Sequence, residues 1–341
     1  MKRRIVKGVI FVGSLLLGAG VLGYLIYKEG WESIADSLIE FGPWPFVGFV
    51  ALSLFNFVLY SWRWQLIVNA HIPKKERLSL GRVYLHRMAG FAVSYLTPAA
   101  QVGGEPVRIG MLMSDGVPAK KATSAVALDI TIEMIAYITF IVAGVILAIV
   151  TGVDGDGSLI WIGVGLALAL VALFSILIAL AKGSYIVKKL VRTTRIDRVK
   201  RLDGLTSWFI ETEQMMHTFV KGRSRLLLGV SLLAFVVIAF RVVEAFYIAF
   251  FFGITLSFAQ AFLIATLPGI ALLLPVPAGV GVFEGGFATV FGVLGVPLAA
   301  VAFALIIRLR DSIFITIGSI HAVRQGGGWL RELLVGKKKK R

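Results

Sequence analysis

Ionisable residues interrupt stretches otherwise built from Leu, Ile, Val, Phe, Ala and Gly. Asp129 and Glu133 stand four residues apart, and Arg241 and Glu244 three. Arg308, Arg310 and Asp311 gather in a late apolar run, and Glu105, Arg108 and Glu284 lie beside breaks rich in Pro and Gly. A charged group inside hydrocarbon costs roughly 2.5–3.5 kcal/mol on insertion scales, so such groups turn towards a partner or a wet cavity. Arginine's planar fork of donors fits a phosphate or a carboxylate with two parallel bonds. Nearby carboxylates can hold an empty arginine in place or exchange a proton during a transport cycle. Glu105, Arg108, Asp129, Glu133, Glu284 and Arg308 are therefore the candidate substrate-binding residues. Arg241 with Glu244, and Arg310 with Asp311, suit structural ion pairs as well as a site.

Other chemistries find little support. The absence of cysteine removes disulfides, thiol nucleophiles and cysteine-bound metals. His71, His86, His217 and His321 show no metal-ligand spacing, and no HExxH, Walker or GxSxG motif is present. Asp154, Asp156 and Ser158 echo the start of a calcium loop, but the rest of that motif is missing and a simple inter-helix turn fits better. No catalytic residue, metal or cofactor is expected.

These charges must be positioned by membrane helices. Hydrophobic residues make up 58% of the chain and charged residues 16%, against about 25% charged in soluble domains. Apolar runs of about twenty residues match the length that crosses a hydrocarbon core roughly 30 Å thick. The net charge of +16 reads as basic cytoplasmic loops, not as a nucleic-acid surface. Spanning helices are expected over 8–27, 43–62, 122–150, 159–181, 226–252 and 297–320. Charge bias puts both termini on the cytoplasmic side of the cell membrane, with 321–341 as a basic tail. Trp44, Trp62 and Trp64 read as interfacial anchors. Tyr84, His86, Arg87 and Tyr95 suit an inner mouth, where His86 reads as a satisfied interfacial residue ahead of a proton relay. The segment 182–225 carries Val187, Leu190 and Val191 at helical spacing, then Trp208, Phe209, Met215, Met216 and Phe219. It predicts amphipathic helices on the cytoplasmic interface.

Two apolar segments, 83–105 and 257–294, begin and end on the same expected side. Pro98, Gly103 and Gly104 break the first, and Pro275, Pro277, Gly279 and Gly281 the second. They read as re-entrant hairpins whose non-helical tips must be buried in protein or face a cavity. The Gly281-x-x-x-Gly285 spacing serves the second turn. Gly90, Ala92, Pro98, Ala99 and Glu105 match Gly269, Ala271, Pro277, Ala278 and Glu284 at one offset, 179 residues (284 minus 105). The expected fold is therefore an all-α integral membrane protein forming one transmembrane domain, 1–341. It has six spanning helices, two oppositely oriented hairpins and an inverted-topology repeat, 43–150 against 226–320. Such repeats place a substrate site near the midplane and alternate its access.

The stretch TPAAQVGGEPVRIG (97–110) resembles the first signature of the flippase-like transmembrane family, and PVPAGVGVFEGG (275–286) resembles its second. The family includes the membrane half of lysylphosphatidylglycerol synthases and uncharacterised UPF0104-type membrane proteins. Arg308 fits a recurring arginine of its last helix. Glu105 stands where the family often carries Asp. Ile130, within LDITIE, replaces an arginine found in many members and resembles the hopanoid-associated branch more than the synthase branch.

The resemblance implies transport of an anionic, polyprenyl or hopanoid-type lipid between leaflets. Aminoacyl transfer in the full-length synthases belongs to a separate soluble domain that would follow the membrane part, so no synthase activity is expected here. Two other functions compete. One is a non-catalytic partner of a lipid-synthesis enzyme that docks on 182–225. The other is an intramembrane lipid enzyme with the carboxylates as acid and base, which lacks a DDxxD-type metal motif or a recognisable nucleophile.

Overall fold

The computed structural model describes residues 30–96, 103–152, 158–182, 203–273, 279–296 and 300–335, with a few isolated positions besides. Every regular element among them is helical. In chain order these are α1 (Trp31–Phe41), α2 (Pro43–His71), α3 (Leu80–Leu96), α4 (Glu105–Ser114), α5 (Ala119–Val150), α6 (Ser158–Lys182), α7 (Asp203–Gly222), α8 (Ser224–Phe251), α9 (Phe258–Thr266), α10 (Val282–Leu294) and α11 (Ala300–Val335). Short 3₁₀ turns cover Lys74–Glu76 and Leu267–Leu273.

Local sequence sets several boundaries. Gly42, at φ +72°, ends α1 and lets Pro43 open α2 at the position where a missing N–H costs nothing. Ser257 and Gln260 cap α9 reciprocally. The Ser257 hydroxyl accepts from the Gln260 N–H (3.2 Å), and the Gln260 side-chain oxygen accepts from the Ser257 N–H (2.9 Å).

α2, α5, α8 and residues 163–180 of α6 are long and apolar enough to cross a membrane. α11 has the length but carries Arg308, Arg310 and Asp311. Apolar side chains along α6, among them Leu168, Val171, Phe174 and Ile178, are exposed, as expected of a helix that faces lipid.

Several boundaries differ from the sequence-based expectation. α2 continues past Arg63 to His71, because Arg63 is paired inside the protein and does not mark a loop. The expected loop after the first helix contains α1, whose Ile34 is fully buried against α11. The basic tail is helical as far as Val335. The expected helix 8–27 falls almost wholly outside the described residues, as do Pro98, Pro275, Pro277, Val187, Leu190 and Val191.

Both broken segments are helix, break, helix. α3 and α4 flank the first break, and α9 with its 3₁₀ extension and α10 flank the second. The first broken unit runs on to Ser114, beyond the expected end at 105. Its limbs cross so closely that a Cβ on Gly104 would lie 1.9 Å from the Gly90 carbonyl oxygen. Shifted by the offset that relates Glu105 to Glu284, the bounds of α2, α3, α4 and α5 fall close to those of α8, α9 with its 3₁₀ turn, α10 and α11.

Two large hydrophobic cores result among the described residues. One joins α2, α4, α5, α7 and α8 around Trp64, Ile67, Leu128 and Ile132. The other joins α8, α9, α10 and α11 around Ile248, Ile264, Phe287 and Phe303. α3 packs most extensively on α11. That approach needs Gly318, where a Cβ would sit 2.1 Å from the Met88 carbonyl oxygen.

Candidate functional site

The first cluster of charges is centred on Asp129 of α5. Arg63 of α2 donates from Nε to Asp129 Oδ1 (2.9 Å) and from Nη2 to Glu133 Oε2 (2.8 Å). Arg87 of α3 donates from Nη2 to Asp129 Oδ2 and to Glu133 Oε2, both at 3.0 Å. Arg108 of α4 donates to Asp129 Oδ2. Asp129 and the side chain of Arg63 are wholly buried, and Arg87 and Arg108 nearly so. Aromatic faces cover the guanidinium groups. Tyr60 lies 3.6 Å from Arg87 and 4.8 Å from Arg63, and Trp64 lies 4.1 Å from Arg108. Cation–π attraction of this kind strengthens once water is excluded. The stem of Arg108 passes over Gly90, where a Cβ would stand 2.6 Å from Arg108 Cγ. Glu105 sits in the first turn of α4, where the helix dipole favours a carboxylate.

The second cluster is centred on Arg308 of α11. Arg308 Nε donates to Glu284 Oε1 (2.7 Å), Nη1 donates to the Tyr95 hydroxyl, and Nη2 donates to the Gly279 carbonyl (3.0 Å). Glu284 is buried, and its Oε2 accepts from the Gly281 N–H (2.8 Å). Gly279 and Gly281 adopt φ of +60° and +78°, a region that glycine enters without a Cβ penalty. The second break therefore exists to turn a carbonyl and an N–H towards this arginine and its carboxylate.

A third group, around Arg310, lies two residues further along α11. Arg310 Nη1 donates to the Ser53 hydroxyl (2.8 Å) and to Glu244 Oε1 (3.3 Å), and Arg310 Nε lies 2.9 Å from Asp311 Oδ1. The expected pairing of Arg241 with Glu244 gives way to this one. Glu244 bonds Arg310 and Ser53, whereas Arg241 stacks over Tyr137 at 5.2 Å. A three-residue separation on α8 places the two groups on one side, but Arg310 of α11 takes Glu244. The expected Arg310–Asp311 pair is present.

A cavity of about 250 Å³ lies between these groups. Glu133, Arg241, Glu244, Arg308, Arg310 and Asp311 bring three basic and three acidic side chains to its wall, together with Tyr60, Tyr95 and Tyr137. Phe57, Phe91, Phe283, Phe287, Phe303 and Phe314 supply the apolar part. Elements of both repeat units contribute.

Of the six candidate substrate residues, Glu133 and Arg308 line this cavity. Glu284 stands directly behind Arg308. Asp129, Arg108 and Glu105 lie outside the lining, in the first cluster. Arg63 and Tyr60 were missed by the sequence reading, whereas Arg87 and Tyr95, expected at an inner mouth, belong to the two clusters. The missed signal was Arg63, one arginine in an apolar stretch that continues to Val68. Trp64 is completely buried against the arginines, so it is not an interfacial anchor; Trp44 and Trp62 are exposed as expected. His86 is buried between Asp115 and His321 and does not line a mouth. The described residues hold no group of three or more His, Asp or Glu suited to a metal ion.

Fold and site together define a multi-pass α-helical membrane protein with a charged cavity between two broken-helix units. The chain belongs to the lysylphosphatidylglycerol synthase transmembrane-region family, whose model matches residues 10–319. It is also similar to a UPF0104 membrane protein of Methanothermobacter thermautotrophicus, at 25% identity over 97% of this chain and 99% of that relative.

Proposed function

We propose that the protein moves a lipid with an anionic headgroup, of phospholipid, polyprenyl or hopanoid type, between the leaflets of the cell membrane, with its basic ends in the cytoplasm and without a catalytic step. The observation that carries this reading is the way Arg308 is held. Its Nε is tied to a carboxylate, Glu284, which anchors the side chain. Its Nη1 and Nη2 donate to acceptors without net charge, the Tyr95 hydroxyl and the Gly279 carbonyl. A phosphate or carboxylate arriving at that edge replaces two acceptors that carry no net charge with two anionic oxygens, adding charge attraction and a bidentate fit. The arginines of the first cluster already pair with carboxylates and lie outside the cavity lining.

A volume of about 250 Å³ suits a headgroup while leaving the chains outside the site. Its phenylalanine wall suits the glycerol or isoprenoid carbons next to a phosphate. Exchange at Arg308 also frees the Gly279 carbonyl, so occupancy loosens the second break. The two units, read as an inverted repeat of re-entrant hairpins, then rock about the cavity and expose it to the other leaflet.

The partner reading is weaker. Phe219 and Val220 of α7 are buried, and α7 packs on α5 and α6, so much of the apolar face assigned to docking is already used inside the fold.

The test is lipid movement in liposomes containing the purified protein, across several headgroups. Headgroup-selective movement that is lost in Arg308→Ala supports the reading. Equal movement by Arg308→Ala and the wild type sinks the site assignment.

A further inference from the structure

His86, His321 and Asp115 form a hydrogen-bonded chain away from the cavity, and it joins three elements that must separate if the basic end is to open. His86 Nε2 lies 2.7 Å from Asp115 Oδ2, and His86 Nδ1 lies 3.0 Å from His321 Nε2. His86 belongs to α3, Asp115 caps the end of α4, and His321 belongs to α11. Their neighbours come from each packed element. Arg82 of α3 lies 3.6 Å from Asp115 Oδ1, and the neutral Gln325 of α11 donates to the same oxygen at 3.3 Å. From α2, Tyr60 faces Arg87 and not the histidines.

Counting protons along the chain fixes what it can hold. Asp115 Oδ1 accepts from Gln325 and faces Arg82, and Oδ2 is the acceptor for His86, whose Nε2 carries the hydrogen and donates it. A neutral His86 then accepts at Nδ1, and His321 Nε2 must donate. One added proton is absorbed without moving a heavy atom: His86 becomes imidazolium, and its Nδ1–H donates to His321 Nε2. A second proton is not tolerated. Both rings would then point N–H at N–H across 3.0 Å, with two positive rings sharing one carboxylate. Histidine is the side chain that takes up protons between about pH 5 and 8.

We infer that the His86–His321–Asp115 chain is a proton-binding latch that ties the first broken unit to the last helix and parts when both histidines are protonated, linking proton uptake to opening of the basic end. The inference rests on the transport reading for what the latch controls, and on its own geometry for its existence.

The chain lacks cysteine, so two introduced cysteines carry the only spin labels. Gly81→Cys lies near the start of α3 in open space, and Val323→Cys is exposed on α11. Pulsed electron–electron distances are measured on the full protein in lipid vesicles at about pH 8 and about pH 5. A single short distance is expected at the higher pH and a separated population at the lower. The separated population is expected to vanish in His321→Gln, which keeps a neutral hydrogen-bonding side chain. A wild-type distance that ignores pH, or an undiminished shift in His321→Gln, overturns the latch. The readout needs no lipid movement, so the two ideas fail separately. Protein that separates at low pH yet moves no lipid keeps the latch and loses the transport reading. Protein that moves lipid with a pH-independent distance does the reverse.

Discussion

The centres of the two charged clusters occupy equivalent places and carry opposite signs. Asp129 and Arg308 are related by the offset that relates Glu105 to Glu284. In the first unit one carboxylate gathers three arginines; in the second one arginine is held by a carboxylate, a phenol and a backbone carbonyl. The first is sealed beneath Tyr60 and Trp64, whereas the second opens on the cavity. The two broken units thus support two roles. A centre whose partners are all charged is costly to disturb and fixes the packing. A centre held partly by neutral groups can exchange them for a ligand. Glu133 belongs to both regions, since it bonds Arg63 and Arg87 and also lines the cavity.

The contrast can be broken most directly at Asp129. Asp129→Ala leaves three buried guanidinium groups short of a counter-charge, and is expected to cost about 3–5 kcal/mol of stability. Thermal unfolding in detergent measures this. Arg308→Ala strips the counter-charge from one buried group, Glu284, where Asp129→Ala strips it from three, so its loss should be smaller, and equal losses in the two variants would erase the distinction. The transport side is sharpened by the same Arg308→Ala protein. Losing a charged hydrogen-bond donor of about 1.5–3 kcal/mol should weaken headgroup binding roughly tenfold to a hundredfold. This would be read by titration with a soluble headgroup analogue. Arg308→Lys, which keeps the charge but not the fork, should fall between the two.

A smaller effect compares the two breaks. Gly104→Ala drives a methyl into the Gly90 carbonyl, whereas Gly286→Ala meets Pro268 Cα at 3.2 Å. The first should cost about 1–3 kcal/mol by overpacking and the second clearly less, in the same unfolding assay. The smallest change is Ser53→Ala. It removes the hydroxyl between Arg310 and Glu244 and should cost about 0.5–1.5 kcal/mol. Headgroup selectivity should stay intact, because Arg308 is untouched.

Much of the architecture was legible before the structure. The positions of α2, α5, α6, α8 and α11 follow from apolar runs, because solvation in a membrane is decided by local composition over about twenty residues. The two broken units follow from Pro and Gly, because these residues act on their own backbone. Gly90 and Gly269, matched by the offset, also share a purpose: each leaves room for a polar side chain, Arg108 in one case and the Tyr137 hydroxyl in the other. The amphipathic pattern of 203–222 correctly indicated a helix, but not that its apolar face would pack on α5 and α6. The sequence did not say which arginine meets which carboxylate. Arg63 finds Asp129 at a separation of 66 residues, whereas Arg241 and Glu244, three residues apart, take other partners.

By itself, the order of residues determined that this chain lives in a bilayer, where its helices lie, where they break, and that charges sit among them. Each of those properties depends on a residue and its immediate neighbours in the chain. Tertiary structure alone decided which charges are sealed and which face a cavity, and that His86 meets His321. Several opposite charges and several histidines are chemically interchangeable as partners, and only the packing of distant helices brings one pair to bonding distance and leaves the others apart.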